Sequence, residues 1–118
     1  MKKYTIFAIV GITSAVIFGS YALSKPNLDG DIVKGQSQYI MYCQSCHGSK
    51  GLGDGPAALS LSNQPANLAS KVSSFFSTPT SLSKDVLNGN VEEGMPAWKG
   101  ILTEEDAINI LTYVQSIQ

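Results

Sequence analysis

Residues 43–48 read CQSCHG, and they hold both cysteines and the only histidine of a 118-residue chain. Cys-x-x-Cys-His is the attachment sequence of haem c. Two thiols one helical turn apart can each add to a vinyl group on one edge of a porphyrin. The imidazole that follows can then swing beneath the iron. Cys43 and Cys46 are therefore the expected thioether anchors and His47 the proximal axial ligand, with one covalent haem c and its iron as cofactor. Competing chemistries lack their remaining parts. A zinc site needs further Cys or His residues, and a thiol–disulfide motif belongs in a βαβ setting that no strand pattern supports. A disulfide across so short a loop would stabilise little.

Iron held by His47 leaves one axial position, and its occupant separates electron transfer from ligand chemistry. The soft donors that remain are Met1, Met41 and Met95. Met1 lies in a targeting segment, and Met41 is just before Cys43 on the attachment helix. Met95, in the Gly- and Pro-containing stretch GMPAWKG, is the expected distal ligand.

The elements that must position these groups read as helices. Asp29 or Asp31 can cap a first helix, in which Ile32, Gln36, Tyr39, Ile40, Cys43 and Cys46 fall at helical spacing on the expected inward face. The run GSKGLGDGPA reads as loop, and residues 59–76 as short turns interrupted by Pro65. Thr78 and Pro79 start a short helix carrying Leu82, Val86 and Leu87, which Asn88-Gly89 ends. Thr103 caps the last helix, with Glu104, Glu105 and Asp106 in its first turn and Ala107, Ile108, Leu111, Val114 and Ile117 on one face. The expected class is all-α, with three main helices and long loops. Loops this long are uncommon unless they serve a function, and wrapping a flat apolar cofactor supplies one.

Composition narrows the partners. The chain is 43% apolar and 14% charged, in the globular range, and its net charge of −1 speaks against a nucleic-acid surface. Lys2 and Lys3 precede a run without charge through Ser24. Residues 1–22 are expected to be a signal peptide, cleaved after the small-residue step Ser20-Tyr21-Ala22, or an N-terminal membrane anchor, since residues 4–23 approach the length that spans a bilayer. Both send the rest of the chain out of the cytoplasm. A periplasmic location follows, soluble or tethered to the inner membrane. Residues 23–30 read as a linker and residues 31–118 as the folded domain.

Taken in order, GQSQY, CQSCHG, GLGDGPAAL, GMPAW and the closing helix with LTYVQSI resemble the class I c-type cytochromes, in their short bacterial monohaem form. The resemblance implies the cytochrome c fold and an electron carrier rather than an enzyme. Single electrons would pass between donor and acceptor redox partner proteins. A haem subunit anchored in a larger periplasmic dehydrogenase or terminal oxidase complex is the alternative. A catalytic haem protein would need distal acid–base groups, and the only histidine is already used. The resemblance further implies that Gly35 and Tyr39 meet Tyr113 and Leu111 where the first and last helices cross. It implies that Pro56 offers its carbonyl to His47 Nδ1–H, that Leu59 lines the proximal side, and that residues 65–68 run near the propionates. The chain has no arginine for a propionate; Trp98, Asn67 and Lys71 are the candidates in its place, with Trp98 also a candidate core aromatic.

Overall fold

The computed structural model describes residues 24–118; the expected signal peptide or anchor lies outside the described residues. Helix α1 spans Ile32–Tyr42, and of its two candidate caps Asp31 is the one used. The Asp31 carboxylate accepts from the Val33 and Lys34 amides at 2.9 and 3.0 Å, satisfying donors that a helix start leaves without partners. A single turn, α2 (Gln44–His47), follows directly. Pro56–Ser60 forms a 3₁₀ turn and α3 covers Leu68–Ser73. Helix α4 runs from Pro79 to Asn88 behind a Thr78–Ser81 capping box, and α5 from Glu104 to Ser116 behind a Thr103–Asp106 capping box. Among the described residues there is no strand, only the isolated bridges Asn90–Met95 and Lys99–Leu102. No helix among them is long and apolar enough to cross a membrane.

The frame is the crossing of α1 on α5. A Cβ placed on Gly35 would lie 1.9 Å from the Asn109 carbonyl oxygen. Backbone thus packs on backbone there, and any side chain would force the helices apart. This corrects two expectations. Gly35 meets the Asn109–Ile110 backbone rather than an aromatic ring, while Tyr39 does meet Tyr113, with ring centroids 5.6 Å apart. The inward face of α1 is Gly35, Tyr39 and Cys43; Ile32, Gln36 and Ile40 are exposed. The close approach at glycine sets the rotation of α1, so the buried stripe follows the glycine and not the aliphatic residues.

Helix α5 is buried on more than one face because α1, α3 and α4 all pack on it. Ala107, Ile110, Leu111 and Val114 are core residues, joined by Tyr39, Val72, Leu82 and Val86. Each large apolar side chain so buried contributes about 1.5–3 kcal/mol. The polar face of α5 is occupied as well. Asn109 Oδ1 accepts from the Asp31 amide at 2.7 Å, Thr112 Oγ1 from the Gly30 amide at 3.0 Å, and Gln115 Nε2 donates to the Pro26 and Val72 carbonyls. The stretch read as a linker has no regular structure from residue 24 to residue 31, yet Pro26 and Leu28 are buried against the domain. Composition reports the irregular backbone but not the side-chain bonds that fasten it.

Candidate functional site: a two-walled haem cleft

A cleft of about 640 Å³ opens beside α5. Its first wall is the end of α1 and the turn α2, which together bring Cys43, Cys46 and His47 to the surface of the cleft. The helical turn places the two thiols on one side, and they are not joined to each other. Burial, with the neighbouring Cys46, pushes the Cys43 thiol up to about 12. As a free thiol it therefore stays protonated at neutral pH.

His47 is 7% exposed, and its Nδ1 lies 2.9 Å from the Ala66 carbonyl oxygen. A carbonyl can only accept, so Nδ1 carries the proton and Nε2 keeps its lone pair. Burial lowers the proton affinity of the ring, and the Ala66 bond opposes that effect. Neutral imidazole with an oriented ring is the form that binds a metal. The Gly-rich loop holds this arrangement from behind: the Gly53 amide donates to the His47 carbonyl at 2.9 Å and the Gly55 amide to the Cys46 carbonyl at 3.1 Å. Gly53 also lies against the Pro65 carbonyl, where a Cβ would come within 2.2 Å. That contact sets the backbone one residue before Ala66.

Two expectations for this wall are corrected. Pro56 does not supply the acceptor for His47; it starts the 3₁₀ turn on the exposed side of the loop, and Ala66 takes the bond. Leu59 is 94% exposed and does not line the cleft, whereas Leu61 does. Both differences have one cause. The loop turns back at residues 56–60 and returns along residues 61–68, so the returning segment, rather than the Gly-Pro step, faces the imidazole. Only the Pro65-Ala66-Asn67-Leu68 run carried a signal for this role, and the resemblance had tied it to the propionates.

The second wall comes from α4 and the loop after it. Leu82, Asp85, Val86, Gly89, Asn90, Glu93, Gly94, Met95, Pro96 and Trp98 border the cleft, with Leu111 of α5 between the walls. Met95 is half-buried, and Trp98 packs on Tyr42 with ring centroids 5.1 Å apart. Met41 also borders the cleft, on the Cys43 side, and is largely exposed. Of the three propionate candidates, Lys71 and Trp98 line the cleft. Asn67 is committed elsewhere, its side chain accepting from the Ser70 amide as the cap of α3.

The donor set suits covalent haem: two unbridged thiols and a buried neutral imidazole on one wall, a thioether on the other, and apolar side chains between them. An all-α domain with such a cleft is a c-type cytochrome. A family model described as "Cytochrome C oxidase, cbb3-type, subunit III" matches residues 30–114, and the chain belongs to that family of c-type cytochrome domains. It is 29% identical over 99 residues to a cytochrome c6 of Rippkaea orientalis (strain PCC 8801 / RF-1), covering 83% of this chain and 81% of that one. Among solved structures it is similar to the reducing HAO-like protein complex of Kuenenia stuttgartiensis, with a TM-score of 0.61 at 24% identity. The likeness covers 73% of this chain and 43% of that one, so this chain spans less than half of that relative's length. Cytochrome c6 of the diatom Phaeodactylum tricornutum matches at a TM-score of 0.47 and 24% identity, over 74% and 93% of the two chains. As a member of that family the chain has the cytochrome c fold and one haem c, held covalently by Cys43 and Cys46. Its function is that of a monohaem electron carrier.

Proposed function

We propose that His47 and Met95 are the two axial ligands, and that the protein shuttles single electrons between redox partner proteins outside the cytoplasm without catalysis of its own. The observation that carries this reading is the cleft itself, in which Cys43, Cys46 and His47 line one wall and Met95 the other. The bound haem supplies a one-electron Fe(III)/Fe(II) couple, and a thioether ligand raises its potential.

The protein's part is to hold both ligands still through the redox change. Ala66 fixes the imidazole, and the two thioethers fix the porphyrin edge. Leu61, Leu68, Leu82, Val86 and Leu111 keep water from the interior faces. Lys71 and the Trp98 indole are the groups available to the propionates. A small, weak docking surface at the cleft mouth suits rapid exchange with partners.

Residues 1–22 serve export, as a cleaved signal or as an anchor at residues 4–23; either outcome leaves residues 31–118 periplasmic. A second reading, a haem subunit of a larger oxidase or dehydrogenase complex, is favoured by the family, whose description is that of an oxidase subunit. Optical spectra of the exported protein in both redox states, with intact mass on the same sample, test the first reading. A methionine-to-iron charge-transfer band in the oxidised form is expected, with no CO binding to the native reduced form. Rapid CO binding would remove Met95 from the iron. Co-purification with a membrane complex would favour the second reading.

A further inference from the structure

Met95 sits in the loop between α4 and α5, just after the 3₁₀ turn Val91–Glu93, and the backbone on both sides of it is fastened to the end of α4. Asn90 and Met95 exchange both backbone hydrogen bonds, N–H to O, at 2.9 Å each. The turn between them closes at Gly94 in the left-handed conformation, and Asn90 Nδ2 donates to Glu93 Oε2 at 2.8 Å across it. Beyond Met95, the Trp98 and Lys99 amides both donate to the Leu87 carbonyl, at 3.0 and 2.9 Å. Gly89 lies between these two fastenings.

Gly89 has φ 63° and ψ −168°, a region essentially closed to residues with a Cβ. A Cβ built there would lie 2.3 Å from the Pro96 carbonyl oxygen and 2.7 Å from the Ala97 nitrogen. The chain leaving α4 and the chain leaving Met95 are therefore in backbone contact. Neither can shift without moving the other.

From this geometry we infer that Gly89 is a positioning residue for the distal ligand. Its contact with Pro96 closes a clasp, with Asn90–Met95 on one side and Leu87–Trp98–Lys99 on the other, that fixes the Met95 Cα against α4. The inference rests on Met95 being the ligand. The sulfur then stays at the iron through the rigidity of the clasp as well as through its own bond, so the off-state of Met95 is rare and exogenous ligands enter slowly.

The experiment compares wild-type holoprotein with Gly89→Ala, Gly100→Ala and Asn90→Ala, reading the charge-transfer band and the rate of cyanide binding to the oxidised form. Gly100 is the control for strain alone: its φ is 95°, but a Cβ there meets nothing within 4 Å. Gly89→Ala is expected to weaken the band and speed cyanide binding at least about tenfold, because alanine is strained at this φ and ψ and its Cβ displaces Pro96. Gly100→Ala should leave both within about twofold of wild type, the change expected away from the clasp. Asn90→Ala removes only the bond to Glu93 and should shift cyanide binding in the same direction by a smaller factor. An unchanged band and rate in Gly89→Ala, or an equal change in Gly100→Ala, overturns the inference while leaving the ligand assignment standing. A wild-type spectrum without the band instead overturns the ligand assignment, and the inference with it. Should Gly89→Ala yield no holoprotein, amide hydrogen exchange on the wild type decides. The Met95, Trp98 and Lys99 amides should be protected together, and exchange at the rate of the exposed Val91 amide overturns the clasp.

Discussion

The two walls of the cleft are built in opposite ways. The Cys43–His47 wall is local: a helix end and one further turn present both anchors and the imidazole from five consecutive positions, and the rest of the chain adds backbone bonds from Gly53, Gly55 and the Ala66 carbonyl. The Met95 wall is assembled from the end of α4 and a loop, whose shape depends on backbone contacts between residues 87–90 and 95–99. A local wall keeps its chemistry when the surroundings loosen. An assembled wall would release the proposed ligand Met95 first, because the position of that side chain is the sum of several weak contacts.

That contrast can be broken most severely at the first wall. Replacing both Cys43 and Cys46 by Ala should leave all haem extractable by acidified solvent; retained haem would refute the two-thioether attachment. Replacing Met95 by Ala should abolish the charge-transfer band and lower the potential, while haem remains covalently bound. Loss of haem in that variant would mean that the walls are not independent.

Smaller effects test the frame shared by both walls. Gly35→Ala drives a side chain into the Asn109 carbonyl and should cost about 3 kcal/mol in denaturant unfolding. A cost near zero would show that α1 and α5 separate freely. Thr103→Ala removes the cap of α5, with a loss of about 1 kcal/mol. Its partner Asp106 adds a pH dependence. Hydrogen bonds from the Thr103 amide, then from Gln38 and the Thr103 hydroxyl, hold the Asp106 carboxyl below its usual range, outweighing its slight burial. The folded value lies below the unfolded one, so the associated stability is fully present above the ordinary carboxylate range and disappears as pH falls through the depressed value. Asp106→Asn should flatten that part of the acid limb; an unaltered limb would assign it to other carboxylates. Least affected should be Pro56→Ala and Leu59→Ser, each within about 0.5 kcal/mol of wild type and with unchanged spectra. A spectral change in Pro56→Ala would restore Pro56 as a support of His47.

Legibility followed the same division. Helix caps and stops at Asp31, Thr78, Gly89 and Thr103 are readable because each acts on backbone donors or acceptors within about one helical turn of itself. The cofactor is readable because all its covalent chemistry falls within one turn. The support of His47 was not readable in advance, since Pro56 and Ala66 differ only in how the loop folds back. The inward face of α1 was misread because hydrophobic spacing favours Ile32 and Ile40, whereas backbone approach at Gly35 decides the rotation. Residues 23–30 read as a linker because the bonds that Thr112 and Gln115 make to Gly30 and Pro26 leave no mark on the composition of the segment.

By itself, then, the sequence determined the three main helices, their caps, the cofactor and its attachment points, all of which are set by interactions between near neighbours. Only the tertiary structure decided which carbonyl orients His47, what Gly35 packs against where the helices cross, and how the loop bearing Met95 is fastened to α4. Those outcomes depend on distances between segments far apart in the chain, and such distances are fixed by packing.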